Sequence, residues 1–394
     1  MQAAQGLPLE MRLMADLQCV GARMQRVTPL KEIIVSNESN RGRVRLFTLL
    51  SATMALGMVA CTSEESPTEP ATEVSPARAA AKTYTAVDLG TLPGCCYGDE
   101  TNAATSINPA GQVVGSTGTT GAEIHAFLWD KGVLSDLGTL AGAAGFSEAA
   151  AINPAGQVVG TSYTATRETR AFLSDKGIMT ALGTLGGTYS YGNGINPAGH
   201  VVGFSALTPG GDGHAFLWDK GLMTDLGTLG GSGSYATGIN PADQVVGASG
   251  TVDGNDHAFL WEKGVMTDLG TLDGSFSIAT AINPAGLVVG YAGATYPAQH
   301  AFLWEKGVIT DLGTLGGSFS SATAINPAGQ VVGWSHTTDG ETHAFLWENG
   351  VMTDLGTLGG HYSSAYGINP AGEVAGVSQV VGGGDNHPTL WTRK

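Results

Sequence analysis

The triplet Ile-Asn-Pro begins at Ile107, Ile152, Ile195, Ile239, Ile282, Ile325 and Ile368, in steps of 43 to 45 residues. A second phrase, Leu-Gly-Thr-Leu, begins in phase with it at Leu89, Leu137, Leu182, Leu226, Leu269, Leu312 and Leu355. A third, Ala-Phe-Leu-Trp, begins at Ala126, Ala215, Ala258, Ala301 and Ala344. It is degraded at Ala171 (Ala-Phe-Leu-Ser) and after His387 (His-Pro-Thr-Leu-Trp). Seven units of this period confine the chain to a stack or a ring, in which each unit buries its apolar face against its neighbours.

One unit reads as four strands. Residues 321–325 form a short apolar strand. Asn326-Pro327-Ala328-Gly329 is a turn in which Pro fixes φ and Gly supplies the left-handed residue. A second strand at 330–335, a polar segment at 336–342 and a third strand at 343–347 follow. Glu348-Asn349-Gly350 is a tight turn suited to a hairpin with a bulge. A fourth strand at 351–358 leads through Gly359-Gly360 to the next unit. No apolar period of 3.6 residues occurs in the repeats, so no helix is expected there.

Four antiparallel strands in such a span match a propeller blade. A parallel β-helix is the rival, but its corners are not hairpins. The two ends of the repeat region separate the two. A lone fourth strand at 84–92 precedes the first Ile-Asn-Pro, and the last unit stops at its third strand, 388–393. Pairing those ends removes two open sheet edges. The expected fold is therefore all-β: a seven-bladed β-propeller of four-stranded antiparallel blades. Its ring is closed by pairing of the N-terminal strand with the last blade.

The segment ahead of the repeats has another character. Arg41, Arg43 and Arg45 precede an apolar run at 46–60, the length of a signal-peptide core and short for a membrane span. It ends Met58-Val59-Ala60-Cys61, which resembles the bacterial lipobox with Met in place of the usual Leu. The resemblance implies that Cys61 is the lipidated first residue of the mature protein. Residues 62–82, rich in Ser, Thr, Pro and Glu, read as a tether with a reach of roughly 25 Å. The expected divisions are 1–40 as an over-extended start or cytoplasmic leader, 41–60 as signal peptide, 61–83 as lipidated Cys and tether, and 84–394 as the propeller. Adjacent Cys95 and Cys96 read as two thiols in one loop or a vicinal disulfide.

Of the 394 residues, 60 are Gly and 13% are charged, with a formal net charge of -16. Beyond residue 60 there are 11 basic and 30 acidic residues. That balance repels phosphate backbones, so no nucleic-acid partner is expected.

With three phrases in phase over residues 84–394, the chain resembles the bacterial extracellular HAF-repeat family, named for His-Ala-Phe. The motif stands at His125, His214, His257, His300 and His343. The resemblance implies secretion and repetition. It transfers no activity and no catalytic residue. The second unit departs from the pattern, with Arg170 for His, Ser174 for Trp and Ala181 for Asp.

The repeated His, with Asp88, Asp136, Asp225, Asp268, Asp311 and Asp354, reads as a structural hydrogen bond within each unit. Identical units hold identical groups apart, whereas catalysis needs different groups converging on one point. The repeated Trp reads as packing between blades. An aromatic six residues before the Ile, at Phe146, Tyr189, Phe276, Phe319 and Tyr362, reads as packing in the connection between units or as a candidate ligand face. The segments between second and third strands, such as 206–213, 249–256 and 336–342, differ in every unit, and specificity usually resides in such loops. No catalytic residue, metal site or cofactor is expected.

The expected protein is a monomeric, non-enzymatic binding or interaction scaffold, lipid-anchored to the bacterial cell envelope. It would recognise a protein or polysaccharide through one propeller face. A structural surface-assembly protein is the alternative. A lyase or hydrolase with an axial site is a lesser one, resting on the unit-specific His200, His336 and His361.

Overall fold

The computed structural model of the protein describes residues 83–394 apart from 94–101, 120–122, 143–144, 273, 296–297 and 383. The leader, Cys61, the tether, Cys95 and Cys96 lie outside the described residues. Within them the chain forms twenty-eight β-strands and no helix.

The strands pair in sequence order within antiparallel sheets, five of them separate and four-stranded. The sixth repeat contains strands Gly316–Ile325, Val331–Thr337, Thr342–Glu348 and Val351–Asp354, each paired with the next. Its first turn forms because Asn326 carries it. Asn326 Oδ1 accepts the N–H groups of Ala328 and Gln330, each at 3.0 Å, and Gly329 sits at φ +80°. The second turn has two central residues, Asn349 and Gly350, at φ +53° and +81°. Positive φ at both is the two-residue turn whose twist matches the flanking strands, so no bulge is needed where the sequence suggested one.

The fourth strand is shorter than the sequence suggests, ending at Asp354 instead of Leu358. Asp354 Oδ1 accepts the Gly356 N–H at 2.7 Å, and Gly356, at φ +71°, turns the chain away. The following Gly-Gly is not a free connection. In the last unit it opens the long strand Gly359–Ile368, with Gly359 opposite Val380.

The chain ends meet as the counting of strands required. Tyr84–Asp88 pairs antiparallel with the final strand Asn386–Arg393, Tyr84 opposite Arg393 and Ala86 opposite Trp391. The last two sheets differ from separate blades. A single parallel pairing, Thr342 opposite Tyr362, joins them into one mixed sheet of eight strands. It arises where the extended start of Gly359–Ile368 runs beside the start of the neighbouring third strand.

Each sheet packs on the next along the chain, and the first strand of the first unit, Ala103–Ile107, touches the strands of the last. The core lies between the sheets. Val289, Ala301 and Leu312 of one unit cluster with Ala322, Ile325, Val331 and Phe345 of the next. The cluster between last and first units repeats the Ala, Ile, Val and Phe side of this arrangement: Ala375, Leu390 and Leu89 pack against Ala104, Ile107, Val113 and Phe127. Both valines of each Val-Val-Gly that follows an Ile-Asn-Pro turn are buried because the second strand is covered on both faces. The Gly is required by close approach. A Cβ at Gly333 would lie 2.0 Å from the Ser321 carbonyl oxygen.

The asparagines link successive units directly. Asn108 Nδ2 donates to the Asn153 carbonyl, Asn153 to Asn196, and the series continues through Asn240, Asn283 and Asn326 to Asn369, at 3.1–3.3 Å. Antiparallel order therefore gives every sheet two distinct ends. Both hairpin turns lie at one, the turn end. The variable segments and the connections between units lie at the other, the loop end.

Candidate functional site

The His-Ala-Phe histidines stand at the loop end. In each unit that has one, Nδ1 faces the carboxylate that closes the fourth strand. The distances are 2.8 Å for His125–Asp136, 2.9 Å for His214–Asp225, 2.8 Å for His257–Asp268 and His300–Asp311, and 2.7 Å for His343–Asp354. His387 makes the same contact with Asp88 at 2.7 Å. Each Asp also accepts the N–H of the Gly two residues on. The pair thus fastens the third strand to the end of the fourth.

The hydrogen bond to Asp354 is the main cause raising His343 above the ordinary imidazole value. Burial works to raise Asp354. The bonds from His343 and Gly356 outweigh it and hold the carboxyl below its usual range. In the second unit Arg170 replaces the clamp. Its guanidinium donates to the carbonyls of Thr169 and Thr188 at 2.9 and 2.6 Å and pairs with Glu168 at 3.1 Å.

A buried serine, absent from the sequence reading, completes the framework. Ser320 Oγ accepts the Ala301 N–H at 2.9 Å and donates to the Gly313 carbonyl at 2.6 Å. Ser147, Ser190, Ser234, Ser277 and Ser363 do the same in their units. The signal was available: each stands five residues before the Ile of Ile-Asn-Pro.

The aromatics at Phe146, Tyr189, Phe276, Phe319 and Tyr362 all lie at the loop end, partly exposed, one per unit. Four pack against ring partners of their own unit: Phe146 on Tyr163 at 4.9 Å, Tyr189 on Phe204 and Tyr191 at 6.0 Å, Phe276 on Tyr291 at 6.2 Å, and Phe319 on His336 at 4.9 Å.

Those partners expose a second variable position. The residue after Val-Val-Gly, or after Val374-Ala375-Gly376 in the last unit, is Ser116, Thr161, Phe204, Ala248, Tyr291, Trp334 or Val377, different in every unit. Opposite Thr161 stands Glu148, and opposite Phe204 stands Tyr191. Tyr191 and Phe204 stack at 4.7 Å with planes 1° apart. Burial raises Glu148 to about 7 and Tyr191 to about 12. Tyr163, Tyr189 and Glu148 all lie near enough to reinforce the shift on Tyr191. Residues that differ between units therefore gather at this end of the second and third sheets.

The three unit-specific histidines separate. His200 lies at the turn end, its Nδ1 2.7 Å from Asp243 of the next unit. His361 and His336 lie at the loop end. His361 Nδ1 bonds to Glu341 Oε1, and Glu341 Oε2 lies 3.4 Å from His343 Nε2. His361, Glu341, His343 and Asp354 thus form a line of titratable groups across two units. The His336 ring lies against Phe319 and Trp334, and burial lowers its pKa. Among the described residues no three His, Cys, Asp or Glu side chains converge to hold a metal ion.

No protein-family model matches the chain, and no curated protein matches it. Among solved structures it is similar to TolB from Acinetobacter baumannii, with 12% identity, a TM-score of 0.45 and 61% of each chain covered. The chain thus spans about three fifths of that protein's length. It is also similar to XC5397 from Xanthomonas campestris, a gluconolactonase, with 11% identity, a TM-score of 0.38, and 79% of this chain and 89% of that one covered. A third similarity is to the Aleuria aurantia lectin solved with Fucalpha1-6GlcNAc, with 13% identity, a TM-score of 0.39, and coverage of 65% and 96%.

Proposed function

We propose that the seven units are the blades of one β-propeller of the HAF-repeat kind. It is a non-enzymatic binding module held at the bacterial cell envelope through a lipid on Cys61, and it recognises a protein or polysaccharide through its loop end. The closed ring is supported by the pairing of Tyr84–Asp88 with Asn386–Arg393 and by the shared core of last and first units.

One observation carries the functional reading. The framework of Asn, Ser and His–Asp contacts is nearly the same in every unit, whereas most differences between units collect at the loop end. These include the segments between second and third strands, the aromatics around Phe204, Tyr291 and Trp334, and Glu148. A scaffold that repeats its frame and varies one end is built to present that end.

The test is a glycan array and a proteome array probed with the full chain. Saturable binding that is lost when residues 249–256 and 336–342 are replaced by Gly-Ser linkers supports the reading. Binding unchanged by those replacements contradicts it.

A second reading is favoured by the His361–Glu341–His343 line. A hydrolase or lyase using it would lose activity on His361→Ala while ligand binding persisted.

A further inference from the structure

The turn end has a composition of its own. Each hairpin between third and fourth strands in the first six units places an exposed aliphatic side chain at its tip: Val133, Ile178, Leu222, Val265, Val308 and Val351, at 62–71% exposure. In five of the six the residue two before it is a lysine: Lys131, Lys176, Lys220, Lys263 and Lys306. The lysine side chains at 220, 263 and 306 are 87–89% exposed. Nearer the first strands, the other turn of every unit exposes a Pro-Ala pair such as Pro327-Ala328.

Charge divides the two ends. Of the nine Lys and Arg among the described residues, only Arg167 and Arg170 lie at the loop end. The other seven are at the turn end, where eight carboxylates, among them Asp219, Glu262 and Glu305, outnumber them by one, so this end is close to neutral. The loop end holds most of the acidic residues and is strongly negative. The chain also enters the domain at the turn end. Tyr84 lies opposite Arg393 at the start of a fourth strand, the place where the other units have their second hairpin, and Lys394 N–H donates to the Thr83 carbonyl.

We infer that the turn end is a membrane-facing surface that rests on an anionic bilayer. Aliphatic tips beside flexible cationic stems are the chemistry that settles into a headgroup layer. An anionic surface repels the strongly acidic loop end over about a Debye length and the nearly neutral turn end far less, so the difference between the ends turns this one to the bilayer. Residues 62–82, entering at this end, would deliver it to the bilayer that holds Cys61. The inference rests on the anchoring reading for its biological setting and on the surface chemistry for itself.

Hydrogen exchange read by mass spectrometry tests it, on the full chain with vesicles of phosphatidylethanolamine and phosphatidylglycerol. The chain is taken with Cys61 intact and as Cys61→Ser. In both, vesicles should slow exchange at residues 219–222 and 262–265 by at least roughly threefold and leave 251–256 and 337–342 unchanged. Lys220→Glu with Lys263→Glu should weaken vesicle co-sedimentation of the Cys61→Ser chain by at least roughly fivefold. Exchange at the hairpins unaltered by vesicles in both chains overturns the inference, as does slowing at the loop end instead. So does protection of the hairpins without vesicles, which would mark contact between copies. The mass of the Cys61 peptide separately decides the anchor: no lipid there, with the hairpins still protected, removes the anchor and leaves the surface.

Discussion

His387 donates through Nδ1 to Asp88 at 2.7 Å, across 299 positions of sequence. The same bond joins neighbours 11 positions apart in the other clamped units. A contact that is local within five units becomes, in the seventh, the fastening between the two ends of the domain. Behind it stands Trp391, fully buried, in a cluster with Leu355, Ala365 and Val374, with Tyr84 and Ala86 packed against it.

Trp391→Ala should therefore cost about 3–5 kcal/mol, the usual range for emptying a large aromatic site. Because the cavity lies under the strand that joins the ends, proteolysis should begin within residues 83–93. Denaturant unfolding and limited proteolysis read the two effects. A loss below about 1 kcal/mol would mean that this strand is not held as described.

Gly333→Ala and Gly307→Ala separate two uses of glycine. At Gly333 the added carbon would lie 2.0 Å from a backbone oxygen in a covered strand, so the domain should lose several kcal/mol or fail to fold. At Gly307, φ is +90° in an exposed turn with nothing within 4 Å, so the cost should be about 1 kcal/mol. Thermal melting of the two variants gives the order, and equal losses would contradict the packing.

Glu148 makes stability fall with rising pH. In the fold its carboxyl keeps its proton to about 7, whereas unfolded it releases it near 4.5. Below 4.5 both states are protonated and nothing is lost. Between 4.5 and 7 only the unfolded state gains by ionising, and above 7 the penalty is complete, about 3 kcal/mol. Glu148→Gln should raise stability above pH 7 by that order and leave it nearly unchanged at pH 4. Unfolding curves at the two pH values test this, and no gain at high pH would show the carboxyl to be solvated.

The His343–Asp354 clamp has a two-sided pH signature. His343 is raised above 6.5, so its contribution is full below that value and fades as pH climbs through its folded pKa. Asp354 is held below 3.8, so its contribution is present above that value and fades as pH drops through its folded pKa. Asp354→Asn should remove both dependences, and NMR titration of the His343 ring should then return toward the ordinary value. An unmoved titration would break the assignment.

Much of this architecture is legible in the sequence because its turns are chemically specific. Asn326-Pro327-Ala328-Gly329 admits one reading, and a surplus strand at 84–92 answers a missing one after Trp391. Strand ends were less legible. Gly359-Gly360 looks like a link, yet it opens a strand because the backbone comes so near Gln379 that a side chain at Gly360 would collide with it. The histidine clamps followed from pairing a repeated His with a repeated Asp. The serines did not, since a small hydroxyl among Gly and Ser looks like loop until its buried partners are seen. Glu148 and Tyr191 were hidden for a different reason: they break the repeat, and a reading built on periodicity passes over what is unique to one unit.

The closure of the ring is tested most directly by a disulfide between positions that face each other across it. With Cys19, Cys61, Cys95 and Cys96 replaced by Ser, Thr85→Cys and Thr392→Cys occupy opposed positions on paired strands, a separation within disulfide reach. Mild oxidation should convert nearly all of the monomer to an internally bridged form, seen as faster migration in a denaturing, non-reducing gel. Thiols that stay free in the folded monomer, or that bridge only between chains, would contradict the ring.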